Sequence, residues 1–202
     1  MLKRYQPSGR LLDVGCSAGF FLSAASGTYQ VEGLELSHWS VGLAEKKGFT
    51  IHRKRLEEFY PTVPYDLITL WGVIEHFENP SAEIAHIGRM LAPGGHVALW
   101  TGDIQSLPAR VLGNRWWYFL GQHIQMFTEK SIIRLFADNG FDPVHRGIYP
   151  YTVSLKSVNR SLRRYPWLHA ITNPLFTHPL LSDRSITLKV PGEMFLVFRK
   201  RG

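Results

Sequence analysis

Cysteine is almost absent from this sequence, and long apolar runs are missing. Cys16 is the one cysteine among 202 residues, which excludes an internal disulfide and disfavours a cysteine-based metal site. No apolar stretch is long enough to span a bilayer, and residues Met1 to Tyr5 lack the apolar core of a signal peptide. These absences indicate a protein of a reducing compartment, and we expect it in the cytoplasm.

Low-complexity linkers and internal repeats are also missing, so the length predicts a single domain over residues 1–202. The composition, 45% hydrophobic and 19% charged, is that of a globular chain. Residues 1–100 have 9 basic and 10 acidic side chains, whereas residues 101–202 have 14 and 6. A basic half favours an acidic substrate, an anionic membrane or nucleic acid, or is an ordinary solvated face.

Short apolar runs alternate with helical patterns along most of the chain. The apolar runs predict strands at residues 10–14, 30–36, 50–53, 65–71, 96–101, 141–148 and 193–200. Periodic patterns with capping residues predict helices at residues 20–25, 38–47, 80–91 and 128–139. This alternation indicates an α/β fold with a mainly parallel sheet and right-handed crossovers.

Two stretches, residues 103–127 and 151–192, are too long to be simple connections. Segments of this length in compact domains usually bind substrate or cover a site. Between residues 153 and 165, helical spacing places four residues on one apolar stripe: Leu155, Val158, Leu162 and Tyr165. Basic residues surround this stripe in the sequence. Apolar turns are expected after it, at 166–168 and 174–176. The pattern predicts a basic amphipathic helix, either an ordinary lid helix or one that rests on an anionic membrane.

The stretch from Gly15 to Gly19, GCSAG, has two interpretations. Its letters fit G-x-S-x-G, the nucleophile elbow of serine hydrolases, with Ser17 as the nucleophile. The elbow also needs an oxyanion donor from an earlier loop, and here the motif follows the first predicted strand, so this interpretation fails on context. The other interpretation is a glycine-rich turn between a first strand and a first helix, which holds a nucleotide cofactor.

Two acidic residues favour the cofactor turn. Asp13 stands just before Gly15, and Glu35 ends the second predicted strand. An acid at that strand end can accept hydrogen bonds from both ribose hydroxyls of a nucleoside, and two carboxylates would repel a 2′-phosphate. Gly15 permits a tight turn with close backbone approach, and Gly19 lets the first helix pack on the strand.

Several stretches occur in the order typical of one family: DVGCSAG at residues 13–19, Glu35, YDLITLWGVIEHFENP at 65–80, LAPGGHVAL at 91–99 and HIQMFTEKSIIRLFADNGF at 123–141. Together they resemble the motifs of class I S-adenosylmethionine-dependent methyltransferases, in particular the small-molecule branch. The resemblance implies a Rossmann-like fold with a mostly parallel seven-stranded sheet, helices on both faces and a helical insertion before the last strand. Dinucleotide-binding folds share the first turn but normally have three spaced glycines.

The resemblance also implies S-adenosyl-L-methionine as the cofactor, bound within residues 10–102. The implied binding residues follow the ends of the first four strands: Asp13, Gly15, Cys16, Gly19, Glu35, Leu36, Leu56 and Trp71. Asp13 and the glycine turn would hold the methionine part, and Glu35 would hold the ribose. Leu36 and Leu56 would contact the adenine, and Trp71 would line the place where donor and acceptor meet. The simpler alternatives are that Asp13 caps the turn and that Trp71 belongs to the core.

The chemistry on the acceptor side has fewer candidates. A sulfonium methyl donor is already activated, so catalysis mainly requires in-line orientation and exclusion of water. A hydroxyl acceptor must also lose a proton, and His76 and His123 are the candidate bases because histidine titrates near neutrality. Alternatively, Glu75 and His76 fix the loop through hydrogen bonds. The nine histidines are scattered along the sequence, and no metal site is expected. The aromatic run at 115–119 would wall an apolar acceptor pocket or form a core cluster.

The expected function is methyl transfer to a small-molecule or lipid-like acceptor, at oxygen or nitrogen. The alternatives are a nucleotide-dependent oxidoreductase and a non-catalytic cofactor-binding module. The expected partner is the acceptor, and nucleic acid is not expected. Peripheral contact with an anionic membrane is the alternative to an ordinary lid helix. Only Met1 to Gly9 precede the first strand, where the family usually has helices that cover the site. Either those helices are missing or the segments 103–127 and 151–192 do the covering.

Overall fold

The computed structural model describes residues 1–148, 150–178, 181, 184–189 and 191–202, and the contacts given below belong to this part of the chain. The backbone forms two compact units. One consists of Met1–Gly147 with Gly192–Gly202, and the other consists of Ile148–Pro191. The second unit nearly coincides with the segment 151–192 that interrupts the sequence pattern.

Seven strands form the sheet of the first unit: β1 (Gly9–Val14), β2 (Tyr29–Leu34), β3 (Thr50–His52), β4 (Tyr65–Trp71), β5 (Leu91–Gly102), β6 (Phe141–Gly147) and β9 (Glu193–Lys200). Their order is β3-β2-β1-β4-β5-β9-β6. The first five strands pair in parallel, and β9 runs antiparallel to both of its neighbours. The predicted mostly parallel seven-stranded sheet is therefore confirmed.

Helices connect the strands of this sheet: α1 (Phe20–Ala25), α2 (His38–Glu45), α3 (Pro80–Met90), α4 (Leu107–Leu112) and α5 (Glu129–Asp138). Side chains cap their first turns where the sequence indicates it. Asn79 accepts a hydrogen bond from the backbone N–H of Ala82 at 3.2 Å, ahead of Pro80 at the first position of α3. Thr128 accepts from the N–H of Ser131 at 3.0 Å and so begins α5.

The central strands are buried on both faces, which explains why they read as continuous apolar runs. Leu11 and Leu12 of β1 point to opposite faces of the sheet, and both are fully buried. Ile68 of β4 is equally buried. At the other side of the core, the rings of Phe136 and Phe198 stack with their centroids 3.9 Å apart. The first unit thus has the rigid core that can hold loops at the ends of the strands.

Strand β5 begins earlier than the sequence pattern indicates. Leu91 already pairs with Tyr65, and the register then shifts before His96 pairs with Leu67. Residues 92–95, which lie between the predicted helix and the predicted strand, are therefore an irregular part of β5, because the chain passes from α3 directly into the sheet.

The second unit contains a two-stranded antiparallel sheet and two helices: β7 (Pro150–Ser154), β8 (Ser185–Lys189), α6 (Leu155–Leu162) and α7 (Pro166–Phe176). The prediction of one helix over residues 153–165 was wrong at both ends. Val153 belongs to β7, and Ser154 begins α6 by accepting from the N–H of Ser157 at 3.2 Å. Tyr165 lies beyond α6 and is the residue before α7.

The predicted apolar turns at 166–168 and 174–176 were also wrong, because both lie within α7. Pro166 occupies the first turn of α7, where its missing N–H has no intrahelical partner to lose. The side-chain amide of Asn159 donates to that of Asn173 at 2.9 Å and joins α6 to α7. None of the helices in the described ranges combines the length and apolarity needed to cross a bilayer.

Candidate functional site

A cavity of about 470 Å³ opens at the carboxyl ends of β1, β2 and β4. In parallel α/β sheets, ligands bind at this edge, because the loops that follow the strands converge there. Several predicted site residues line the cavity: Gly15, Glu35, Leu36, Leu56 and His76. Asp13, Cys16, Gly19, Trp71 and His123 are not among its lining residues.

Gly15 makes the first sharp turn of the site. Its φ of +69° lies in the left-handed region, which favours glycine. A Cβ at this position would lie 2.7 Å from Cγ2 of Val73, so only glycine fits between β1 and the loop after β4. The close approach to the backbone that was predicted for Gly15 is therefore made by the side chain of Val73.

Gly19 has a packing role that differs from the expected one. Its φ is +71°, and a Cβ there would lie 3.1 Å from the ring of Phe49 and 3.2 Å from Ala44. The expectation was that Gly19 lets the first helix pack on the strand. The neighbours that require glycine instead belong to α2 and the turn that follows it.

The Glu35 carboxylate is held by two backbone N–H groups. Oε2 accepts from the N–H of Ser17 at 2.9 Å, and Oε1 accepts from the N–H of Ser37 at 2.7 Å. The first of these contacts joins the end of β2 to the glycine turn after β1. Each carboxylate oxygen keeps a further lone pair, so Glu35 can still accept hydrogen bonds from a ligand in the cavity.

Asp13 lies beneath the glycine turn and not in the cavity wall. It is 2% exposed, and its Oδ1 accepts from the hydroxyl of Thr69 at 2.6 Å. Burial raises the pKa of Asp13 to about 7; the Thr69 hydrogen bond opposes this shift, and the nearby charge of Glu35 adds to it. This hydrogen bond joins β1 to β4, so it does not show the capping of the neighbouring turn that was the simpler alternative for Asp13.

Cys16 also points away from the cavity. Its side chain is 4% exposed and packs against Gly33 of β2, where a Cβ would overlap with the sulfur. Burial, with smaller contributions from the charges of Asp13 and Glu35, raises the pKa of the Cys16 thiol to about 12. Only the backbone of this residue is therefore able to face a ligand.

The apolar wall of the cavity is formed by leucines at the ends of β2 and β3. Leu36 is 57% exposed at the rim, whereas Leu56 is 7% exposed and begins a single 3-10 turn after β3. Trp71 differs from them because its ring packs edge-on against Phe21 at 5.1 Å and stacks on Phe195 at 6.0 Å. Trp71 is only partly buried, so this packing does not separate the core alternative from a position beside the methyl donor.

Glu75 is the centre of a hydrogen-bond network after β4. One of its oxygens accepts from the hydroxyl of Thr101 at 2.9 Å, and the other accepts from the hydroxyl of Tyr118. Burial raises the pKa of Tyr118, and the charge of Glu75 and its hydrogen bond raise it further. The phenol is therefore a neutral donor that orients the carboxylate.

His76 and His123, which are distant in sequence, are neighbours in the fold. Their rings lie 5.0 Å apart, centroid to centroid. Nδ1 of His76 donates to the carbonyl of Gln122 at 2.9 Å, and Nδ1 of His123 donates to the carbonyl of Tyr118 at 2.7 Å. One ligand atom from each of Glu75, His76 and His123 lies within 4.8 Å of the others. Sequence spacing gave no sign of this cluster, because α3, β5 and α4 lie between the two histidines in the chain.

The aromatic run at 115–119 forms a packed cluster. Trp116 is fully buried and Tyr118 is 6% exposed, and they pack together with Ala109 of α4. None of these aromatic residues lines the 470 Å³ cavity. Of the two interpretations of this run, the structure agrees with the core cluster.

Comparison with known proteins gives one family match. The model of a family described as a methyltransferase domain matches residues 1–146. The ubiquinone biosynthesis O-methyltransferase of Dechloromonas aromatica is 33% identical over 102 residues, which cover 46% of this chain and 44% of that protein. Its counterpart in Burkholderia vietnamiensis is 29% identical over 97 residues, which cover 44% and 42%. The chain thus spans less than half the length of these curated relatives.

Solved structures share the fold over nearly the whole chain. The YcgJ protein of Bacillus subtilis superposes with a TM-score of 0.66 at 17% identity, over 100% of this chain and 97% of that one. The magnesium protoporphyrin IX methyltransferase of Synechocystis PCC 6803 gives a TM-score of 0.62 at 20% identity, over 95% and 74%. At such identities the likeness concerns the fold alone.

Proposed function

This chain belongs to the methyltransferase domain family, and from that premise we propose that it transfers a methyl group from S-adenosylmethionine to a small-molecule acceptor. The observation that carries the proposal is the position of Glu35. Its carboxylate stands at the end of β2, beside the glycine turn after β1, in the wall of the 470 Å³ cavity. The family resemblance of the sequence motifs is confirmed by the family match.

The residues of the cavity fit the nucleoside half of this cofactor. Glu35 is an acceptor for the two ribose hydroxyls, and Leu36 and Leu56 offer apolar surface for the adenine. The backbone at Gly15 lies open to the cavity because no side chain covers it. The carboxylate of Glu35 disfavours cofactors that bear a 2′-phosphate.

The sulfonium of the bound cofactor supplies an electrophilic methyl group. The chain has to hold an acceptor in line with that group and keep water out. Val73 and Phe77, in the loop after β4, give the acceptor side of the cavity apolar surface, and His76 lies between them. A hydroxyl acceptor must lose its proton during the reaction, and a neutral amine need not do so beforehand.

The acceptor class follows from the relatives only in general terms. The curated relatives named above are ubiquinone biosynthesis O-methyltransferases, so we favour an oxygen on a small molecule as the methyl acceptor. A ring or chain with apolar character would suit the apolar lining near Val73 and Phe77. Nitrogen remains the alternative atom, because none of the described residues in the cavity wall selects between the two.

Calorimetry with two ligands tests the proposal. We expect S-adenosylhomocysteine to bind the full chain and NAD to give no heat of binding. Binding of NAD without binding of S-adenosylhomocysteine would instead identify a nucleotide-dependent oxidoreductase. A screen of phenols, catechols and amines with a labelled methyl donor then separates an enzyme from a binding module, because only an enzyme gives labelled product.

We further propose that the second unit contacts an anionic membrane surface. Trp167, Ile171 and Leu175 recur at every fourth position of α7 and are 69%, 72% and 56% exposed. Basic side chains lie exposed on the preceding helix and the turn after it: Lys156, Arg160, Arg163 and Arg164. An exposed apolar stripe with basic residues nearby is the pattern of an interfacial helix. A lipid-like acceptor would be met at such a surface.

A further inference from the structure

The carboxyl group of Glu75 is buried in the loop after β4. The residue is 1% exposed, and its two oxygens accept hydrogen bonds from Thr101 and Tyr118. Within the described ranges, no lysine or arginine forms an ion pair with it. Burial of a carboxylate is costly unless a positive charge compensates for it. This position is therefore suited to a bound cation.

The two neighbouring imidazoles present their other nitrogens as ligands. Nδ1 of His76 and Nδ1 of His123 each face a backbone carbonyl oxygen, at 2.9 and 2.7 Å. A carbonyl only accepts, so each ring bears its proton on Nδ1 and, when neutral, its lone pair on Nε2. Metal-binding histidines have this arrangement, because the bond from Nδ1 fixes the ring while Nε2 holds the ion.

Backbone contacts hold the three residues together. The N–H of Gln125 donates to the carbonyl of Glu75 at 3.0 Å, next to the bond between His76 and the carbonyl of Gln122. One ligand atom from each of the three side chains lies within 4.8 Å of the other two. If all three ligand atoms bind one ion through bonds of about 2.0–2.2 Å, the distances between the ligand atoms have to be somewhat shorter than this. His76 is the exposed member of the three, so a small shift of its loop together with Gln122, which keeps their hydrogen bond, would close that difference.

We propose that Glu75, His76 and His123 bind one divalent metal ion of the transition series. Two imidazoles and one carboxylate suit Zn²⁺, Co²⁺ or Fe²⁺ better than Mg²⁺ or Ca²⁺, which prefer oxygen ligands alone. The hydroxyls of Thr101 and Tyr118 orient the carboxylate, which can ligate through its remaining lone pairs. Three protein ligands leave coordination positions open for a small molecule.

The open positions would take the acceptor oxygen. This role of the metal ion rests on the proposed methyl transfer, whereas the binding of the ion does not. His76 lines the cavity, so an ion on its Nε2 stands at the acceptor side. The O–H bond of the bound acceptor breaks and its proton passes to solvent. The oxygen then forms a bond to the methyl carbon while the C–S bond breaks, and the electron pair stays on sulfur. His76 and His123 act as ligands in this scheme and not as bases.

Titration of the metal-free full chain with Co²⁺ tests the site, because Co²⁺ bound to nitrogen and oxygen ligands absorbs visible light. We expect one equivalent to bind and Zn²⁺ to displace it, while excess Mg²⁺ does not. His76→Ala and His123→Ala should each weaken Co²⁺ binding by at least about 100-fold, since loss of an outer-shell partner alone costs about 10–100-fold. His38→Ala, at an exposed histidine outside the cluster, is the matched control and should bind Co²⁺ as the wild type does.

Tyr118→Phe serves as a second variant, because it removes only the hydroxyl that orients Glu75 and should weaken Co²⁺ binding about 10–100-fold. Circular dichroism shows which variants are folded. The proposal is overturned if the wild type binds no Co²⁺, if both alanine variants bind it normally, or if Mg²⁺ displaces it as readily as Zn²⁺. Calorimetry with S-adenosylhomocysteine on the metal-free chain tests the methyltransferase proposal separately.

Discussion

The backbone N–H of Ser17 donates a hydrogen bond to the carboxylate of Glu35 at 2.9 Å. This contact settles how the glycine turn after β1 is held. Ser17 has a φ of +48°, and its N–H points toward the end of β2. The described hydrogen bond of Ser17 thus uses its backbone N–H and not the hydroxyl that a nucleophile elbow would use.

Replacing Glu35 by alanine is expected to weaken binding of S-adenosylhomocysteine by roughly one to two orders of magnitude. A hydrogen bond to a charged group contributes about 1.5–3 kcal/mol, and the variant loses the acceptor of the ribose hydroxyls. Isothermal calorimetry gives the dissociation constant. Glu45→Ala changes an exposed glutamate of α2 and should bind as the wild type does. An unchanged constant in folded Glu35→Ala would remove this residue from the ribose site.

Ser17→Ala is expected to leave methyl transfer nearly unchanged. The substitution removes the hydroxyl but keeps the N–H that Glu35 accepts, so the turn remains in place. Initial rates with a labelled donor, together with calorimetry, give the comparison. If activity disappears while S-adenosylhomocysteine binds normally, Ser17 has a chemical role and the nucleophile interpretation returns.

Gly15→Ala is expected to destabilise the fold by about 1–3 kcal/mol and to weaken cofactor binding. The new methyl group meets Cγ2 of Val73 at 2.7 Å, and alanine is strained at a φ of +69°. Gly48→Ala separates the two causes, because Gly48 also has a positive φ, +86°, but its new methyl group would have no described neighbour within 4 Å. Urea unfolding measures both variants. Equal losses would mean that the contact with Val73 contributes nothing.

The fold and the candidate ribose acceptor, Glu35, were accessible from the sequence because both depend on local patterns. Apolar runs give the strands, and Glu35 is recognised by its place at the end of β2. The cluster of Glu75, His76 and His123 was not accessible, since it depends on how a long loop returns to the sheet. The boundary at Pro166 failed for another reason: proline suits a turn and the first position of a helix equally well.

Asp13 is expected to make the stability of the fold depend on pH. Burial raises its pKa from the ordinary value of 3.8 to about 7, so the folded chain holds this proton more tightly than the unfolded chain does. The stabilising contribution is complete below pH 3.8 and is lost as the pH rises to about 7. Asp13→Asn lacks this titration and keeps an acceptor for Thr69.

Urea unfolding of the wild type and Asp13→Asn from pH 4 to pH 8 measures this effect. The free energy of unfolding of the wild type relative to the variant should fall by on the order of 4 kcal/mol across the window, at about 1.4 kcal/mol per pKa unit. Asp138→Asn, at an exposed aspartate of α5, is the matched surface control. A difference between wild type and Asp13→Asn that stays constant with pH would show that Asp13 is ionised throughout.

The exposed stripe of α7 is expected to bind the protein to anionic vesicles and not to neutral ones. Burial of an aliphatic side chain contributes about 1.5–3 kcal/mol, so Ile171→Ala should lower the partition coefficient at least about fivefold. Arg160→Gln should lower it about fivefold as well, because one basic residue near an anionic surface contributes about 1 kcal/mol. Co-sedimentation at low salt measures both, and binding should weaken as salt screens the charges.

Val63→Ala, which changes an exposed apolar residue of the first unit, is the control and should bind as the wild type does. If the full chain stays in the supernatant with anionic vesicles at low salt, α7 has no membrane role.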